Sequence, residues 1–241
     1  MTALIVALQF LTRLPLPTVT ASQADFGKAI RWFPLAGAAV GLAVAGAGSL
    51  GAMRDPALGA LLALAAWVGM TGGLHLDGLG DIVDAAGAAH RDPARQRAVL
   101  ADPHLGAFGA IAIALQLLAK LVLLALILAS CTTAREVLAL ALVPVLGRIG
   151  PLVWVRVLPP LHEGLGTLFA QRAGAAVLVA WLVGWSLAAW LLAPVLLAAL
   201  PALLLWPLWL RARIGGLSGD GHGAGIELVE TAALLALVLT P

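Results

Sequence analysis

The chain has 241 residues, of which 62% are hydrophobic and only 11% charged, and its mean hydropathy is +1.03. A soluble domain carries about 25% charged residues, so the composition excludes a water-soluble globule and points to a membrane protein. The net charge of +2 comes from scattered Lys and Arg with no long basic run, which argues against a nucleic-acid partner.

The first apolar stretch, Ala3 to Leu11, has neither a basic start nor a small-residue cleavage site, so it reads as a retained segment and not a secretory signal. A polar stretch follows from Thr18 to Arg31. Within it Ser22 to Asp25 has the spacing of a capping box and predicts a short interfacial helix.

A membrane span needs about 20 predominantly apolar residues. Phe33 to Ala52 and Pro56 to Leu76 meet that length and carry no charge. Pro103 to Ala134 is interrupted only by Lys120, and Val137 to Val155 only by Arg148. Ala173 to Leu210 is uncharged and contains Pro194 and Pro201, which predicts two spans joined by a tight break. Thr231 to Thr240 is too short alone, so a last span must start before Ile226 or be re-entrant. The expected fold is all-α, a polytopic bundle of about six to eight transmembrane helices forming one integral membrane domain over 1–241. No alternating pattern suits a barrel, whose interior would be polar.

Small details refine this bundle. Gly37 and Gly41 form a G-x-x-x-G pair that lets helix backbones approach closely, although glycine is common in membrane helices generally. Cys131 is the lone cysteine and reads as apolar filler, with no internal disulfide and no zinc pattern. The tryptophans read as interfacial anchors, especially Trp206 and Trp209 beside Arg211.

The segment at about 77–102 is polar and is expected to form an acidic and basic loop. It holds Asp77, Asp81, Asp84, Asp92 and Asp102 among the 12 acidic residues of the chain. Asp92-Pro93 predicts an N-cap and a short helix over 93–101. Arg91, Arg95 and Arg97 make the segment the most basic loop, which places it in the cytoplasm by the positive-inside rule.

Asp77, Asp81 and Asp84 are spaced i, i+4, i+7 and fall within roughly 60° of one helix face. Three carboxylates this close repel one another unless a cation lies between them, and carboxylates in a span cost about 2.5 to 3.5 kcal/mol each. Magnesium suits such a site, because it takes oxygen ligands and bridges to phosphates. The competing reading is a solvated face on a helix leaving the bilayer. Asp102 stands before the next span in a segment that contains Gly106 and Gly109. Near the C-terminus, Gly215 to Gly225 repeats the combination of small residues around a carboxylate, with Gly219 and Asp220 at its centre. Arg13, Arg148 and Arg211 are candidate phosphate partners, for which snorkelling to headgroups is the alternative. His75 is a candidate ligand or donor, or a structural histidine at a helix end.

Thr71-Gly-Gly-Leu-His-Leu-Asp77-Gly-Leu-Gly-Asp81-Ile-Val-Asp84 resembles the signature of the cobalamin synthase (adenosylcobinamide-GDP ribazoletransferase) family. Phe10 to Pro15, Phe33 to Gly37, Asp102 to Gly109 and Gly215 to Asp220 resemble four further segments of that family, in family order. The chain departs from the family pattern at Ala101, Pro103 and His104 around Asp102, and at Ala85 after Asp84. The resemblance implies the last step of nucleotide-loop assembly in cobalamin synthesis. Adenosylcobinamide-GDP is joined to α-ribazole, or its 5′-phosphate, and GMP is released. It also implies magnesium dependence and a multi-pass protein of the bacterial inner membrane with its site facing the cytoplasm. Asp77 and Asp81 are then expected to hold the metal on the diphosphate, with Asp84 or Asp102 completing the coordination. Asp220, or one of the remaining carboxylates, is expected to accept the hydroxyl proton. Arg13, His75, Gly106, Gly109, Arg148 and Gly219 are expected to contact substrate. A homo-oligomer is left open.

Two other readings compete. A cation-coupled transporter also uses intramembrane carboxylates, but the acidic cluster has no counterpart in the second half of the chain. A phosphotransferase acting on nucleotide-activated lipid alcohols shows a D-G-x-x-A-R pattern, where this chain has Gly80-Asp81.

Overall fold

The computed structural model describes residues 1–88, 92–131, 133–161 and 165–239, with the side chains of Ala88, Pro93 and Leu165 left aside. Arg91 of the basic segment and the end of the last apolar run at Thr240 lie outside the described residues. In chain order the helices are α1 (Thr2–Leu11), α2 (Gln23–Ala29), α3 (Phe33–Ala52), α4 (Pro56–Thr71), α5 (Leu74–Ala88) and α6 (Pro93–Leu100). They continue with α7 (Ala107–Ser130), α8 (Ala134–Val157), α9 (Leu165–Arg172), α10 (Ala175–Leu192), α11 (Ala202–Arg213) and α12 (Gly219–Val238). Short 3-10 turns join α2 to α3 and α10 to α11. Among the described residues no strand forms; the single bridge is Pro160 to Leu217.

Six helical stretches are long and apolar enough to cross a membrane, and α4 with α5 make a seventh if that bent pair is one span. The number falls within the expected range. Boundaries follow from local chemistry. The reciprocal box of Ser22 and Asp25 starts α2, Asp55 caps α4 ahead of Pro56, and Asp92 caps α6 ahead of Pro93. Thr133 and Glu136 form a second capping box at the start of α8. Pro194 and Pro201 bracket the expected break between α10 and α11. The last span begins at Gly219, well before the apolar run that follows Glu230.

The most buried span, α8, packs against α3 on one side and α12 on another. Gly37 and Gly41 make the first of these packings: a Cβ on either would overlap the backbone of α8 at Pro144 or Ala141. Polar tryptophan edges are used inside the bundle. Trp154 donates to the Leu203 carbonyl at 2.8 Å, Trp185 to Leu142 at 2.9 Å and Trp206 to Gly221 at 3.0 Å. Trp206 is therefore a core residue and not an interfacial anchor; its stacked neighbour Trp209 keeps 39% exposure. The segment expected as a loop from 77 is helical as far as Ala88, so Asp77, Asp81 and Asp84 sit on a helix that packs into the bundle.

Candidate active site

The site starts from a break. Gly72 closes α4 in the left-handed conformation at φ 63°, Gly73 follows at φ 75°, and α5 leaves at 84° to α4. Glycine fits both positions because side chains disfavour positive φ. The guanidinium of Arg13 lies where a Gly72 side chain would stand, and the Arg13 N–H donates to the Met70 carbonyl at 2.7 Å. Arg13 is thereby fixed at the break, while its side chain stays exposed.

α5 then carries His75, Asp77, Asp81 and Asp84 on successive turns. It crosses α12 in backbone contact. A Cβ on Gly78 would stand 2.9 Å from the Asp220 Cα, and one on Gly223 would stand 3.2 Å from the His75 Cα. α12 begins at its cap Ser218, whose hydroxyl accepts from the Gly221 N–H at 3.0 Å. The crossing brings His75 and Asp77 together with Gly219, Asp220 and His222 around one cavity of about 410 Å³. Phe10, Phe33 and Phe169, from α1, α3 and α9, also line it.

Like charges meet in this site: the Asp81 carboxylate faces the negative charges of Asp220, Asp77 and Asp84. Such a cluster accommodates a cation or the metal of a metal–phosphate complex. Among the described residues no group of three His, Cys, Asp or Glu side chains is already gathered at metal-holding distance. The polar wall also holds buried ring nitrogens, Nε2 of His75 and both nitrogens of His222, that find no hydrogen-bond partner among the described residues. Arginine only donates, so the Arg148 guanidinium at 3.2 Å makes His75 Nδ1 an acceptor and leaves the proton on Nε2.

Several expected site residues are placed elsewhere. Asp84 turns away from the cavity as a cap for α7, accepting from the Gly106 N–H at 2.7 Å and the Gly109 N–H at 2.9 Å. Both carboxylate oxygens and both glycine amides are thus occupied by one another instead of by a metal and a substrate. A side chain at Gly109 would also meet the Gly80 carbonyl at 2.8 Å, which accounts for that glycine by packing. Asp102 is exposed and pairs with His104, through the backbone N–H at 3.0 Å and Nδ1 at 2.6 Å. That pairing holds its carboxyl below the usual aspartate range and leaves it outside the group acting on Asp81. Arg148 is fully buried and bonded to Glu230, so it orders the interior and does not reach a phosphate directly.

Sequence reasoning missed the network that surrounds Arg148. Lys120 of α7 pairs with Glu227 at 2.7 Å and Glu230 at 2.6 Å, and Gln116 donates to Glu227 Oε2 at 2.9 Å. Two cations and two carboxylates therefore meet inside the bundle with no net charge, which is how buried ions are tolerated. The signal was present: Lys120 and Arg148 each stand alone in an apolar run, and Glu227 and Glu230 are spaced i, i+3.

The fold and site define a multi-pass α-helical membrane protein with a cavity lined by carboxylates, histidines and three phenylalanines. Residues 3–238 match the cobalamin-5-phosphate synthase family, and the chain belongs to that family. It is 53% identical to the adenosylcobinamide-GDP ribazoletransferase of Novosphingobium aromaticivorans, over 100% of this chain and 97% of that protein. The proteins of the same name from Laribacter hongkongensis and Thiobacillus denitrificans are 52% and 49% identical, covering 99% and 98% of this chain and 97% and 94% of theirs. No solved structure matches the chain.

Proposed function

We propose that this chain transfers the adenosylcobinamide phosphate moiety from adenosylcobinamide-GDP to α-ribazole, or its 5′-phosphate, releasing GMP as the last step of nucleotide-loop assembly. The observation that carries this reading is the meeting of His75 and Asp77 of α5 with the glycine-rich start of α12 at one cavity, with Asp81 one turn further along α5. Full-length similarity to ribazoletransferases supports it.

In the reaction a ribose hydroxyl of the nucleoside attacks the phosphorus on the cobinamide side of the diphosphate. A new P–O bond forms, the bond to the GMP oxygen breaks, and GMP leaves with the electron pair. In this reading Asp220, which lines the cavity from the start of α12, accepts the hydroxyl proton. The Nε2–H of His75 supplies a donor for a phosphate oxygen. Positioning and charge neutralisation dominate such chemistry. Asp77 and Asp81, faced by Asp220, are the oxygen donors that fit magnesium, and their mutual repulsion is what a cation would relieve. When bound, magnesium would neutralise charge on the diphosphate. We place the protein in the bacterial inner membrane with the cavity accessible from the cytoplasm, where nucleotide substrates reside.

The test is mass spectrometry of products formed by purified protein in lipid nanodiscs. Given adenosylcobinamide-GDP, α-ribazole and magnesium, the protein should yield adenosylcobalamin and GMP in equal amounts. Absence of both products from folded protein would overturn the reading.

A further inference from the structure

The cavity has two chemically distinct walls. Every polar side chain that lines it, His75, Asp77, Ser218, Asp220 and His222, comes from α5 or the start of α12. The wall contributed by α1, α3 and α9 is formed by Phe10, Leu11, Phe33, Gly166 and Phe169, without a polar side chain. Its three phenyl rings form one cluster. Phe10 stacks on Phe33 at 6.0 Å, and Phe169 stands edge-on to Phe33 at 5.4 Å and to Phe10 at 6.3 Å. Phe33 and Phe169 are buried beneath Phe10, which keeps 39% exposure, and all three line the cavity.

We propose that Phe10, Phe33 and Phe169 form the subsite for the dimethylbenzimidazole base of the nucleoside acceptor, an inference that rests on the ribazoletransferase reading. Size is the first argument. At about 410 Å³ the cavity lies at the low end of small-molecule sites, roughly 300–1,000 Å³, and suits a nucleoside. A corrinoid carrying GDP is far too large, so only its diphosphate reaches Asp77 and Asp220. Edge chemistry is the second argument. Guanine carries donors and acceptors on several edges, and an apolar wall would strip them of water without replacing their hydrogen bonds. Dimethylbenzimidazole has a flat fused ring, two methyl groups and one unsubstituted ring nitrogen, and loses little against phenyl rings. With the base on the aromatic wall, its ribose extends towards the polar wall, where a hydroxyl meets Asp220.

The test is steady-state kinetics in nanodiscs with each substrate varied in turn, together with calorimetric titration of α-ribazole alone. Phe10→Leu is the first variant because Phe10 is the least buried of the three rings; Phe10→Trp restores an aromatic surface, and Phe169→Leu is the second site. Each leucine variant should raise KM and Kd for α-ribazole roughly tenfold, the scale of one base stacked on one ring. KM for adenosylcobinamide-GDP should stay within about twofold of wild type, well below that stacking effect, and Phe10→Trp should bind α-ribazole as wild type does. Unchanged α-ribazole constants in both leucine variants would overturn the subsite while leaving the ribazoletransferase reading intact. A rise confined to adenosylcobinamide-GDP would also overturn it, by placing guanine on the aromatic wall. If wild-type protein forms no cobalamin product, the reading and the subsite fall together.

Discussion

Gly78 and Asp220 touch through their backbones: a Cβ on Gly78 would lie 2.9 Å from both the Cα and the carbonyl oxygen of Asp220. This contact joins the first acidic helix to the last helix of the chain and sets the separation of the carboxylates. Gly78→Ala forces α5 and α12 apart, because two rigid backbones cannot yield as a flexible side chain does. Overpacking of this kind costs about 1–3 kcal/mol, and displacement of catalytic groups by about 1 Å can cost a hundredfold in rate. Turnover should fall far more than the melting temperature. The control is Gly69→Ala on the exposed face of α4, where a Cβ meets nothing within 4 Å. Equal turnover in the two variants would remove the contact from the site.

Asp77→Asn and Asp81→Asn should each reduce turnover by roughly a hundredfold, the loss typical of one preorganised electrostatic group, with the protein still inserted and folded. Asp102→Asn should stay close to wild type, since Asp102 is exposed and its side chain pairs with His104. Chelation should abolish activity, and magnesium or manganese should restore it, both preferring carboxylate oxygen. Full turnover by protein shown to be metal-free would rule out the metal assignment, and loss in Asp102→Asn would return that residue to the site.

Asp84→Ala should act mainly on stability. It strips the Gly106 and Gly109 amides of their acceptor in a buried place, at a cost of about 1–3 kcal/mol for an unsatisfied buried donor. Thermal unfolding in detergent should shift down clearly, while turnover per folded molecule falls much less than in Asp77→Asn. Asp84→Asn keeps an acceptor oxygen and should recover part of the lost stability. A variant that is as stable as wild type but inactive would put Asp84 back among the catalytic carboxylates.

The spans were legible because their signal is local: an uncharged run of sufficient length between capping residues names its own helix, as for Phe33 to Ala52. The clustering of Asp77 and Asp81 was legible for the same reason, since one helical period sets it. The role of Asp84 was not, because its partners lie 22 and 25 residues away and only the fold selects them. Lys120 and Glu230, 110 residues apart, illustrate the same limit. The bend after Thr71 was hidden because glycine pairs are frequent in membrane helices, and composition does not reveal which pair adopts positive φ.

The segment carrying α6 is expected to face the cytoplasm, because Arg95 and Arg97 bias its side. A cysteine at the exposed Ala94, in a Cys131→Ala background, should react with a membrane-impermeant maleimide in inverted vesicles and not in intact spheroplasts. Labelling in spheroplasts would reverse the orientation.

Arg148 and Glu230 should be needed together more than either is needed alone. Arg148→Met leaves Glu230 paired with Lys120 but leaves two buried carboxylates against one cation. Breaking a buried pair in this way costs about 3–5 kcal/mol. The single variant should therefore melt well below wild type. Adding Glu230→Gln removes the excess charge and leaves Lys120 with Glu227 at 2.7 Å, so the double variant should regain part of that loss. Turnover should not recover with it, because His75 Nδ1 has lost its guanidinium donor and the proton on Nε2 is no longer fixed. Separation of the two readouts distinguishes a positioning residue from a purely structural one. If the double variant is no more stable than Arg148→Met, the two residues are not coupled. If it is both stable and fully active, Arg148 has no part in orienting His75.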